Sequence, residues 1–168
     1  EETLSAAHEA QDKKIPLLLI ASGGALEAMS HDMGIPFIKL PQGFEPREAL
    51  GFMIRALVEF LTPHRNKELE VLAKISGKSG IAKGRRLSKI LLGTIPLIYA
   101  SQNTASLAYT WKIKFNETGK TPAFTASIPE LFHNEMTGFD AGKKTQKNAG
   151  RFVFILLENP DDSPEIKK

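Results

Sequence analysis

Cysteine is absent from the 168 residues, which removes disulfides, thiolate metal sites and thiol nucleophiles together. No apolar run approaches the ~18 residues that a membrane-crossing helix needs, so no membrane partner is expected. Aromatic residues are few, 8% with a single Trp, and the basic runs Lys83–Arg86 and Lys143–Lys147 contain none. The basic stripe with interleaved aromatics that stacks on nucleic acid is therefore missing, and nucleic acid is not an expected partner. Twenty-two Lys and Arg against 19 Asp and Glu leave only +3, an excess mild enough to suit small anionic molecules. Histidine is scarce, and His8, His31 and His64 have no evident partners, so they read as structural or surface residues. The opening Glu1-Glu2-Thr3-Leu4 has no Met and no basic or apolar signal segment, and a fragment is the expectation.

What is present alternates between strand and helix patterns. Thr3–Lys13 carries Leu4, Ala7 and Ala10 at helical spacing, and Ile15–Ala21 is a continuous apolar run, the mark of a parallel strand buried on both faces. Ser22-Gly23-Gly24 and a short helix, Ala25–His31, follow. A glycine turn after a strand lets backbone approach a phosphate or sugar, or is simply a tight connection, and Gly23 and Gly24 are candidates for ligand contact on the first reading. Ile35–Leu40 is a second strand. The stiff Pro41–Arg47 loop puts Arg47 at the first turn of a helix, Glu48–Leu61, whose stripe of Leu50, Met53, Ile54, Leu57, Val58 and Leu61 reads as core. Helices at Lys67–Lys74 and Gly84–Leu92 make a connection. Gly77-Lys78-Ser79 within it imitates a phosphate loop, but it lacks the first glycine and follows no strand, and a nucleotide P-loop is rejected.

The plan then repeats: a strand Ile95–Ala100, a helix capped by Ser101–Asn103 and carrying Leu107 and Trp111 to Phe115, a strand Pro122–Ser127, a polar loop Thr137–Gly150, a strand Arg151–Leu157 and a polar tail Glu158–Lys168. The alternation predicts an α/β fold of three-layer αβα, doubly wound parallel sheets. Two partial domains are expected, residues 1–61 and 94–168, joined by a helical connection over 62–93.

Most polar residues between Trp111 and Glu135 fall in two clusters, Asn116-Glu117 with Lys120, and Glu130 with His133-Asn134-Glu135. One strand separates them, so a carboxylate and an imidazole can converge at one sheet edge, as a proton-transfer site requires. The plainer reading makes Glu117 a helix end paired with Lys120, and Glu130 and Glu135 solvated charges. His133 with Glu135 gives two metal ligands without a third, so no metal is expected.

Four segments carry a specific resemblance: P-Q-G-F-E-P-R-E-A-L-G-F (Pro41–Phe52), I-P-L-I-Y-A (Ile95–Ala100), W-K-I-K-F-N-E-T-G-K-T-P-A-F (Trp111–Phe124) and I-P-E-L-F-H-N-E-M-T-G-F (Ile128–Phe139). In this order they resemble the bifunctional phosphoglucose/phosphomannose isomerases of the sugar isomerase (SIS) domain superfamily. The resemblance implies that Glu117 is the catalytic base, His133 the ring-opening residue and Arg47 the arginine beside the sugar, with Glu130 and Glu135 as partners that orient the histidine. It also implies a cytoplasmic isomerase of glucose 6-phosphate and mannose 6-phosphate without cofactor, homodimeric at full length, with the histidine supplied by the neighbouring subunit. The family's serine-rich phosphate loop and C-terminal lysine have no counterpart here, so the fragment is expected to be inactive alone. A non-catalytic phosphosugar-binding regulator of the same superfamily is the alternative.

The residue types fit the reaction. Moving a proton between C1 and C2 through an enediol needs one carboxylate, best served if burial raises its pKa from ~4.3 toward the working pH. A fixed guanidinium stabilises the enediolate, and an imidazole titrates in the range needed to protonate a ring oxygen.

Overall fold

The computed structural model of the protein describes residues 1–62, 66–74, 77–139 and 149–166. His64 and most of the expected 137–150 loop lie outside them. The chain divides into two units, Glu1–Ser76 and Gly77–Lys168.

In the first unit, α1 (Glu2–Asp12) ends by local backbone chemistry. Lys14 takes a left-handed conformation at φ 55°, its N–H bonds the Gln11 carbonyl, and the Ile15 N–H reaches back to the Ala10 carbonyl at 2.9 Å. This paired stop satisfies orphan helix carbonyls and takes Ile15 out of the strand. Pro16 has no N–H to give a ladder, so β1 is only Leu19–Ala21, shorter than the apolar run predicted. After α2 (Ala25–Met33), β2 (Phe37–Lys39) pairs with β1 in parallel, Leu19 opposite Phe37. Ala7, Leu19 and Met29 form the core of this unit, with Leu4, Leu26, Ile35 and Phe37 packed on it.

α3 (Leu50–Leu61) starts later than expected, after a turn over 46–49, and α4 (Asn66–Ala73) follows. The α3 stripe read as core is exposed apart from a half-buried Val58, Leu57 at 43% and Leu61 at 69%, and only Ala56 is buried. Periodicity identifies the apolar side of a helix but not whether anything in the same unit covers it.

The second unit opens with α5 (Gly77–Leu91), longer than the predicted segment. β3 (Ile95–Ser101) is the central strand of a parallel sheet in the order β4-β3-β5, with β4 at Phe124–Ile128 and β5 at Phe152–Leu157. Its run I-P-L-I-Y-A-S is buried from Pro96 onward, as a strand paired on both edges and covered on both faces must be. Successive amides point to opposite edges. Ile95 donates to the Arg151 carbonyl on the β5 side, while the donor missing at Pro96 falls on the β4 side, where pairing begins only at Leu97.

Between β3 and β4 a 3-10 turn (Gln102–Thr104) leads into α6 (Ala105–Glu117). Ala100 and Ala108, both fully buried, let α6 lie close to the sheet beside Ile98 and Ala123, with Trp111 and Phe115 flanking them. On the opposite face Leu97, Tyr99, Ile128 and Leu131 form a second core with Phe139, Phe152 and Ile166. Helix, sheet and a second covering layer give the three-layer arrangement.

The tail read as polar contributes to that second layer. Asp162 is buried, accepting a hydrogen bond from Asn103 Nδ2 at 3.1 Å and a longer one from Asn159 Nδ2. It thereby ties the end of the chain to the turn after β3.

Ile98 is fully buried in the central strand. Ile98→Ala should cost about 2–5 kcal/mol and Ile98→Val about 0.5–1.5 kcal/mol in chemical denaturation. A loss below about 1 kcal/mol for the alanine variant would mean that α6 does not pack on the sheet as described.

Candidate functional site

Glu117 is the last residue of α6, and the turn beyond it is held by a set of backbone bonds. The N–H groups of Thr118 and Gly119 both donate to the Lys114 carbonyl at 3.0 Å, and Thr121 N–H donates to the Phe115 carbonyl. A Cβ on Gly119 would stand 2.8 Å from the Phe115 carbonyl oxygen, so only glycine fits there. Lys120 follows at φ 50°, an uncommon conformation for a residue with a side chain. Asn116 Oδ1 accepts the Ala123 N–H at 2.9 Å, joining the helix end to the start of β4. Glu117 itself is exposed and makes no side-chain hydrogen bond or ion pair with a described residue, Lys120 included. The burial that would suit a general base is therefore not supplied by this unit.

The second polar cluster lies elsewhere. β4 runs parallel to β3, so α6 returns along the sheet and delivers Glu117 at the amino edge. The 3-10 turn Glu130–His133 and α7 (Glu135–Phe139) follow β4 at its carboxyl edge. The five residues of β4 set these edges about 13 Å apart. The expected convergence of Glu117 and His133 at one edge is thus corrected: within one chain they occupy opposite edges.

His133 is exposed. The Glu130 carboxylate accepts a hydrogen bond from Asn134 Nδ2 at 3.3 Å rather than one from the histidine. Glu135 lies near the buried Tyr99, whose hydroxyl has no hydrogen-bond partner of good geometry. Burial, with the Glu135 carboxylate adding to it, pushes the Tyr99 hydroxyl up to about 12. Tyr99 and Ser101 line a cavity of about 820 Å³ at the carboxyl edge, bounded mainly by apolar residues such as Leu131, Phe139 and Leu156. None of the residues picked from sequence lines it. Among the described residues no three His, Cys, Asp or Glu side chains are grouped to hold a metal.

In the first unit, Gly23 and Gly24 form the turn leaving the carboxyl end of β1. Gly24, at φ 75° and ψ −150°, occupies a region that side chains rarely adopt. A Cβ on Gly23 would crowd Glu27 Oε2 at 3.2 Å. Gln42 Nε2 donates to the Ser22 carbonyl at 3.3 Å, so the loop leading to Arg47 meets the glycine turn at this edge. Arg47 sits in the turn before α3 rather than in its first helical turn, half-exposed, with Glu45 Oε2 at 3.4 Å. Sequence reasoning passed over Asn116 as a structural residue, since its bond to the Ala123 amide seven residues on lies beyond the short spacings of local side-chain-to-backbone bonds.

A parallel sheet with a crossover helix on one face and a second covering layer on the other is an α/β arrangement consistent with a sugar isomerase (SIS) domain. Residues 82–168 match the family of the bacterial phospho-glucose isomerase C-terminal SIS domain, and the chain belongs to that family. It is 34% identical, over 99% of its length, to the bifunctional phosphoglucose/phosphomannose isomerase of Aquifex aeolicus, covering 52% of that protein. With the protein of the same name from Thermoplasma volcanium the identity is 35%, over 96% of this chain and 52% of the relative. The D-glucosamine-6-phosphate 4-epimerase of Sulfolobus acidocaldarius is 28% identical over the same shares, 96% and 52%. The chain thus spans about half the length of these relatives.

Tyr99 yields a pH prediction. The folded protein holds the hydroxyl proton more tightly than the unfolded chain, where tyrosine ionises near 10.0. The associated stability is fully present below pH 10 and is lost as pH rises toward about 12. Urea midpoints at about pH 9 and about pH 11 should fall more steeply for the parent than for Tyr99→Phe. Parallel falls would mean that the hydroxyl is not buried.

Proposed function

We propose that the complete protein carrying this chain is an aldose-ketose isomerase that interconverts glucose 6-phosphate, and mannose 6-phosphate, with fructose 6-phosphate through an enediol. The observation that carries this reading is the family match across 82–168, the stretch that contains both Glu117 and His133. Glu117 removes the proton from one carbon and returns it to the next, Arg47 stabilises the developing enediolate, and His133 protonates the ring oxygen to open the sugar. Gly23 and Gly24 offer backbone to the sugar phosphate at the carboxyl edge of β1–β2. This chain by itself is inactive.

The separation of Glu117 and His133 on opposite sheet edges supports a site assembled from two copies, each giving the base to one site and the histidine to the other. A homodimer does this by symmetry. Cover for Glu117, exposed within its own unit, then comes from outside that unit.

Glu117→Gln in the complete protein should lower turnover by about 10²–10⁴-fold, since it keeps size and hydrogen bonding while removing the base. Sugar-phosphate binding should survive; a parent that binds sugar phosphate without turning it over would instead be a regulator. His133→Gln should also be inactive. Mixing the two inactive variants under subunit exchange should restore about a quarter of the parent activity, because half the dimers are mixed and each has one intact site. Activity of Glu117→Gln within a few-fold of the parent would show that the base is misassigned. No restoration on mixing would place both residues in one subunit's site.

A further inference from the structure

We propose that Asn116 is a positioning residue for Glu117, an inference that rests on the reading of Glu117 as the base. The last turn of a helix has carbonyls without intrahelical partners and frays unless something holds it. Beyond Glu117, the bonds from Thr118, Gly119 and Thr121 to Lys114 and Phe115, and from Thr121 Oγ1 to the Gly119 carbonyl, hold the turn only to itself and to the helix. Asn116 Oδ1 differs in accepting from Ala123, whose side chain is packed in the core beside Ile98 and Ala108. Among the described residues it is the one side-chain hydrogen bond between the end of α6 and the entry to β4.

Glu117 depends on that bond because no hydrogen bond or ion pair to a described residue holds its carboxylate. Its placement comes entirely from the backbone of the turn it shares with Asn116. A misplacement of about 1 Å is enough to cost proton transfer about 10²-fold. The bond also needs the unusual backbone around it: the missing Cβ at Gly119 and the left-handed Lys120 turn the chain sharply enough for Ala123 to come back within reach of Asn116.

The test uses the complete protein and measures aldose-to-ketose turnover together with thermal unfolding. Asn116→Ala removes the acceptor from an exposed side chain and should leave a folded enzyme with kcat lowered about 10- to 100-fold and KM within about threefold. Asn116→Asp keeps an acceptor oxygen at the same position and should recover kcat to within about threefold of the parent. Adding Asn116→Ala to Glu117→Gln should produce no further loss, because a residue acting through Glu117 has nothing left to act on. An Asn116→Ala enzyme within twofold of the parent overturns the proposal, as do equal losses in Asn116→Ala and Asn116→Asp, or a full additional loss in the double variant. If Glu117→Gln is itself active, the reading of the base fails, and that outcome is distinct from each of these.

Discussion

Parallel pairing of β4 with β3 is the constraint from which the second unit's geometry follows. A chain that leaves the carboxyl end of one strand and enters the next in the same direction has to travel back the full length of the sheet. α6 makes that return, and Ala100 and Ala108 let it do so at close range. Its last residue, Glu117, consequently emerges at the amino edge, while the segment after β4 carries His133 away at the carboxyl edge. Because β4 itself lies between the two clusters, they stand at its two ends.

Stability and site placement meet in the turn between α6 and β4. Asn116, Gly119 and Lys120 each answer a backbone need there: an acceptor for a buried amide, space beside a carbonyl and a left-handed step. Glu117 answers none of these needs. A side chain with no structural partner, held on a backbone that is closely constrained, is the arrangement expected where position matters more than stability. The glycine turn of the first unit is likewise constrained by its backbone, with Gly23 and Gly24 adopting conformations that side chains rarely tolerate and Gln42 bonded to the Ser22 carbonyl beside them.

The sequence by itself determined the alternation of helices and strands, the continuous apolar strand β3, the parallel α/β class and, through its motifs, the family. These are properties of short windows, set by side-chain periodicity and by the few residues that backbone geometry allows. It overran at β1, because whether Ile15 belongs to a strand or to a helix stop depends on which carbonyl its amide finds. It could identify the apolar stripe of α3 but not its exposure, since burial is a relation between surfaces distant in the chain. Only the tertiary structure decided that Glu117 and His133 leave opposite edges, that Asp162 returns from the tail to cap the turn after β3, and that the Tyr99 hydroxyl is enclosed beside Glu135. Each of these depends on how strands, helices and turns assemble in space, which no local window contains.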